Sequence, residues 1–117
     1  EALVSARGLQ HRGHQVRLVC VEHIDRGPVD GVRWSDESYE GLAVRRLEMD
    51  LLNAPQRALL EDDNRWIGAH VEQMLRDDRA DVFLLKGGYL LSGSVLQAAR
   101  RAGVPSIVRL TDFWFLC

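Results

Sequence analysis

Apolar residues change their spacing repeatedly along the chain, and each change marks an element. Ala2, Leu3, Ala6 and Leu9 fall on one helical face with Arg7 and Gln10 turned to water, which predicts a helix near 1–12. Gly13 stops it, and the run Gln15-Val16-Arg17-Leu18-Val19-Cys20-Val21 predicts a strand near 15–22. From Glu22 to Gly41 the chain is polar and rich in turn residues, a long connection. Within it, Val32-Arg33-Trp34 is expected to pair as a hairpin with a strand near 42–47. Asn53, with Pro55 two residues on, reads as an N-cap and an early helical position. Asp62-Asp63-Asn64 then restarts the helix. Ile67, Val71, Met74 and Leu75 form an amphipathic stripe, predicting a helix near 64–78.

The remainder of the chain organises the rest. Val82 to Leu85 is an apolar run too short for a helix and followed by Gly87-Gly88, so it reads as a strand near 81–86, buried on both faces. Ser92 is placed to cap a helix near 93–102, with Val95, Leu96, Ala99 and Ala102 at helical spacing. Gly103 suits the left-handed position after a helix, Pro105 follows, and Ile107 to Leu110 predicts a strand near 106–111. A strand, a helix and a strand in this order make a parallel pair with a right-handed crossover. The alternation as a whole predicts an α/β domain with a Rossmann-like parallel sheet and flanking helices. Ligands of such sheets bind outside the carboxyl ends of the strands. Lys86, Gly87, Gly88, Tyr89, Thr111 and Asp112 should therefore share one rim with Glu22 and His23.

Composition narrows the function. A chain of 117 residues makes one domain with a sizeable core, and its net charge of −2 argues against a nucleic-acid partner held by phosphate neutralisation. No apolar run approaches the ~20 residues of a membrane span. His11 and His14 are separated by the helix-breaking Gly13 and lack a third ligand at suitable spacing, so no metal or other cofactor is expected. Cys20 and Cys117 are not a Cys-x-x-Cys pair, and no Gly-x-Ser-x-Gly elbow accompanies the serines. Lys86-Gly87-Gly88 could offer backbone N–H groups to an anion, although its lysine precedes the glycines, unlike a P-loop. Asp112 could cap the backbone that follows it or orient a substrate hydroxyl. Phe113, Trp114 and Phe115 form an aromatic cluster, read as buried, with stacking on an acceptor sugar or touching a membrane surface as the alternative.

Ala102-Gly103-Val104-Pro105, a hydrophobic strand, and Asp112-Phe113-Trp114-Phe115-Leu116-Cys117 resemble the N-terminal domain of glycosyltransferase family 4 enzymes, which have the GT-B fold. Tyr39-Glu40-Gly41 followed by a strand with Arg45-Arg46-Leu47 adds to the likeness. The resemblance implies transfer of a sugar from a nucleotide-sugar donor to the hydroxyl of a glycan, lipid or small-molecule acceptor, without a metal. It implies that residues 1–117 are one partial, acceptor-side domain, the truncated N-terminal half of a GT-B fold. The first strand and the C-terminal donor domain would lie outside it. In GT-B domains that first strand sits between the second and the fourth, so a gap or a closed-up pairing is expected between Gln15–Val21 and Val82–Leu85. A cytoplasmic location, with peripheral contact at the inner membrane surface, is the matching expectation. Thr111 stands where many members have a histidine, so that histidine's role does not carry over. Thr111 and Asp112 are the catalytic candidates, and Lys86, Gly87, Gly88, Tyr89, Glu22 and His23 the substrate-binding ones. The competing reading is a non-catalytic α/β ligand-binding or regulatory domain.

Overall fold

A computed structural model describes residues 1–110. Its elements are α1 (Ala2–His11), β1 (Arg17–His23), β2 (Arg33–Tyr39), β3 (Leu42–Met49), α2 (Arg57–Asp62), α3 (Arg65–Asp77), β4 (Phe83–Leu85), α4 (Ser94–Arg101) and β5 (Ser106–Val108). The α/β class follows directly. In one sheet, of order β1-β3-β2, β1 runs parallel to β3, with Arg17 opposite Ala43 and His23 opposite Met49. The hairpin partner β2 is antiparallel to β3, from Arg33 opposite Glu48 to Tyr39 opposite Leu42. Glu40 and Gly41 both have positive φ, 48° and 82°, the two-residue turn whose twist matches its flanking strands. The sheet is thus mixed, and β2 is exposed along its whole length. A second sheet pairs β4 with β5 in parallel.

Among the described residues β1 pairs with β3 and β4 with β5, and no strand pairing joins β1 to β4. What joins the two sheets is a common core. Val19 and Val21 of β1, Leu47 of β3, and Phe83 and Leu85 of β4 pack with Ile67, Val71 and Leu75 of α3 and Val95, Ala98 and Ala99 of α4. Each fully buried aliphatic side chain in this cluster contributes about 1.5–3 kcal/mol. Helices α3 and α4 cross closely where Gly68 faces Ser94, whose Cβ would lie 2.9 Å from a Cβ added at Gly68.

The junction before α3 is polar but fully enclosed. Asn64 is wholly buried and caps α3, its Oδ1 accepting from the Ile67 N–H at 3.1 Å. Its own N–H donates to Ser92 Oγ at 2.9 Å, and its carbonyl accepts from Ser94 Oγ at 2.7 Å. Five residues from three chain segments are thereby tied together, Met49 included, since Asn64 Nδ2 lies 3.5 Å from its sulfur.

Three local expectations are corrected. Asn53 does not begin a helix; α2 starts at Arg57 after Gln56 with φ of 61°, because the Asn53 amide is taken by the carboxylates of Asp25 and Asp50. Ser92 is not the N-cap residue of α4, which is Gly93; with φ of 60°, its Oγ accepts from the Ser94 N–H at the start of α4 at 3.3 Å and, more closely, from the Asn64 N–H. The Val82–Leu85 strand is buried on one face, not two. Leu85 is buried and Phe83 half-buried, whereas Val82 is 51% exposed and Ile107 on β5 is 58% exposed. The covered face is the one on which α3 and α4 lie, and alternation along a strand sends the next residue to the other side.

Candidate functional site

Parallel strands bring their carboxyl ends together, and here the residues at and just after those ends build a pocket. His23 ends β1, Leu51 and Leu52 come after β3, and Tyr89 and Leu90 after β4. With Arg57, Leu60 and Glu61 of α2 they line a cavity of about 180 Å³. Residues from both sheets meet in it, so β1, β3 and β4 share one rim. Its floor is apolar, and Arg57 and Glu61 satisfy each other at 2.9 Å.

A buried carboxylate organises the polar side. Asp50 is 2% exposed and accepts from the Arg26 N–H at 2.9 Å, the Asn53 N–H at 3.2 Å and Asn53 Nδ2 at 2.8 Å. Asn53 Nδ2 also reaches Asp25 Oδ1 at 3.2 Å, closing the loop after β1 onto the loop after β3. The adjacent Leu51 N–H donates to His23 Nδ1 at 3.2 Å, and Asp50 Oδ1 lies 3.8 Å from the same nitrogen. With Nδ1 an acceptor, the proton of the neutral imidazole sits on Nε2. His23 therefore presents a donor of fixed position.

The bond from the Asn53 side chain, helped by the backbone N–H groups of Asn53 and Arg26, outweighs the effect of burial and holds the Asp50 carboxyl below the usual carboxylate range. The unfolded chain then takes up a proton before the folded one as pH falls. Asp50 stabilises the fold fully above the unfolded value of about 4 and loses that effect as pH drops through the lower folded value. Urea midpoints followed from pH 7 to 3 should show this loss, and Asp50→Asn should flatten the acid limb. An unchanged acid limb in Asp50→Asn would place the titration elsewhere.

The residues singled out from the sequence separate on this rim. His23 and Tyr89 line the pocket, Tyr89 from an exposed position. Glu22 does not line it, because its side chain alternates to the other sheet face and pairs with Arg46 at 2.8 Å, which also pairs with Glu37 at 3.1 Å. Lys86 is half-buried and donates to Ser5 Oγ on α1. Gly87 has open space around it, and the Gly88 carbonyl accepts from the Leu91 and Ser92 N–H groups, forming a turn. Thr111 and Asp112, like the Phe113–Phe115 cluster and Cys117, lie outside the described residues.

Sequence reasoning missed Leu51, Leu52, Arg57, Leu60, Glu61 and Leu90 as pocket residues. The one signal for them was Asp50 closing a strand with Asn53 three residues later, an Asx turn rather than a helix cap. Cys20 is no candidate nucleophile, since burial pushes its thiol up and the neighbouring Arg46 offsets that only in part. Among the described residues no cluster of metal-ligating side chains occurs, and no helix is long and apolar enough to cross a membrane.

Searches of curated proteins and of solved structures return no match. A family model, the glycosyl transferase 4-like domain, matches residues 2–116. Nearly the whole chain is covered, rim and pocket included, and glycosyl transfer is the activity characteristic of that family. The chain belongs to the glycosyl transferase 4-like domain family.

Proposed function

We propose that this chain is the acceptor-side part of a glycosyltransferase that moves a sugar from a nucleotide-sugar donor to an acceptor hydroxyl. The observation that carries the reading is the pocket at the joined carboxyl ends of β1, β3 and β4, in a chain of this family. The described pocket lining supplies apolar walls and a directed imidazole but no unpaired cation for a diphosphate. Nucleotide binding is accordingly assigned to a second domain outside residues 1–117, and leaving-group stabilisation with it. In this reading Thr111 and Asp112, which come after β5 in sequence, meet the reacting hydroxyl. The Lys86 bond to Ser5 ties the start of the Gly87-Gly88 turn to α1.

The full-length protein, incubated with a panel of nucleotide sugars and hydroxyl acceptors, should release free nucleotide in step with glycosylated product. In this reading the 117-residue chain alone should release none above hydrolysis, because the donor site is assigned to the second domain. Should the full-length protein transfer from no donor while still binding ligands, the non-catalytic module becomes the better description. Should residues 1–117 alone carry out transfer, the division of labour stated here is wrong.

A further inference from the structure

We propose that the pocket beside His23 selects an uncharged amphiphile, one whose hydroxyl oxygen accepts from His23 Nε2–H while an adjoining alkyl or aryl group fills the leucine-lined floor. The inference rests on the acceptor-side reading above and deepens it by naming the acceptor class. Leu51, Leu60 and Leu90 form a wall that gains nothing from a bare, fully hydroxylated sugar. The charges nearby do not favour an anion. Arg57 is neutralised by Glu61, and the buried, ionised Asp50 stands behind the imidazole. A phosphate or carboxylate entering here would meet that negative charge, and among the described lining residues the one permanent cation, Arg57, already has a carboxylate partner.

The imidazole narrows the choice further. Its Nδ1 is occupied by the Leu51 N–H, which leaves Nε2–H as a donor and calls for an oxygen acceptor on the ligand. The cavity, at about 180 Å³, is smaller than the ~300 Å³ at which small-molecule sites begin, so it takes one end of the acceptor. Leu52 and Tyr89, both largely exposed, extend the apolar surface outward from its mouth.

The test is equilibrium binding to the full-length protein without donor, using three probes: octyl β-glucoside below its micellar concentration, methyl β-glucoside and glucose 1-phosphate. The octyl glycoside should bind at least ~10-fold more tightly than the methyl glycoside, as expected for burying two or more methylenes, and glucose 1-phosphate should bind weakest. His23→Leu, which fills the space but removes the donor, should lose ~10-fold for both neutral glycosides, a typical cost of one hydrogen bond. His23→Gln, whose amide reaches a similar position, should recover part of that loss. Leu52→Glu, a change at an exposed position, should abolish the octyl preference without unfolding the protein. Equal binding of the two glycosides, stronger binding of the phosphate, no binding of the octyl glycoside, or an unaltered His23→Leu each overturns the proposal. Sugar transfer without an apolar preference would sink this inference and leave the glycosyltransferase reading standing. Octyl-selective binding with no transfer from any donor would do the reverse.

Discussion

Gly68→Val is expected to lower the stability of the domain by about 3 kcal/mol or more, enough to unfold much of a protein whose whole margin is of the order of 5–15 kcal/mol. The reason is a single close approach. A Cβ at position 68 would sit 2.9 Å from Ser94 Cβ and 3.2 Å from the Ser94 carbonyl oxygen, and the latter is backbone that cannot swing aside. Separating α3 from α4 to make room would pull Ile67 and Val71 away from Val95 and Ala98. Gly68→Ala is a finer probe, because alanine gains up to about 1 kcal/mol of helix propensity while overpacking costs roughly 1–3. A net loss is still expected. Gly8→Ala in α1 supplies the contrast: nothing lies within 4 Å of the added Cβ, so propensity alone acts and stability should rise. Urea midpoints of the three variants decide the matter. A Gly68→Val midpoint equal to that of the parent would mean that the crossing is loose.

Asn64→Ala is expected to be the most damaging change to a polar side chain, by about 2–3 kcal/mol, since it removes a cap and leaves buried groups unpaired. Losing Oδ1 strands the Ile67 N–H in a site with no access to water. The backbone bonds of Asn64 to Ser92 and Ser94 survive only as long as the first turn of α3 holds its place. Asn64→Ser should restore part of the loss, because a serine hydroxyl also caps. The same clamp anchors Leu90 and Tyr89 through Ser92, so Asn64→Ala should also weaken octyl glucoside binding more than Asn64→Ser does. Serine performing no better than alanine would show that the cap is not what matters at this position.

Much of this fold can be read directly from the chain. Strict periodicity over Ile67, Val71, Met74 and Leu75 leaves no other face for α3 to bury, whereas only Val32-Arg33-Trp34 signals the first arm of the hairpin and β2 runs on through polar residues to Tyr39. Misreadings occur where side chains compete with the backbone. Asn53 and Ser92 both carry capping chemistry, yet each also spends it across the fold, on Asp25 and on Asn64, over contacts 28 residues apart in sequence. One-sided burial of β4 is likewise invisible in the sequence, because Val82 and Leu84 are as apolar as Phe83 and Leu85. That His23 and Tyr89 come near one another was legible from the order of strands and helices, although their strands lie in separate sheets. Which way each rim side chain turns was not. Glu22 and His23 are neighbours in sequence but belong to opposite faces, and the Arg46 partnership that claims Glu22 comes from a different strand.

The separation of the two sheets also determines how the domain transmits force. A continuous hydrogen-bonded sheet resists shear between its strands, because sliding one strand breaks a whole row of bonds at once. Between β1 and β4 no such row exists, so the halves are coupled by the packed side chains of α3 and α4 and by bonds such as that from Lys86 to Ser5. Side-chain packing yields to small rotations at far lower cost than a ladder does. Within residues 1–110 the contact between the β1-β3-β2 plate and the β4-β5 plate is therefore made by side chains. His23 follows a strand of the first plate and Tyr89 a strand of the second, so the shape of the pocket they line depends on that packing.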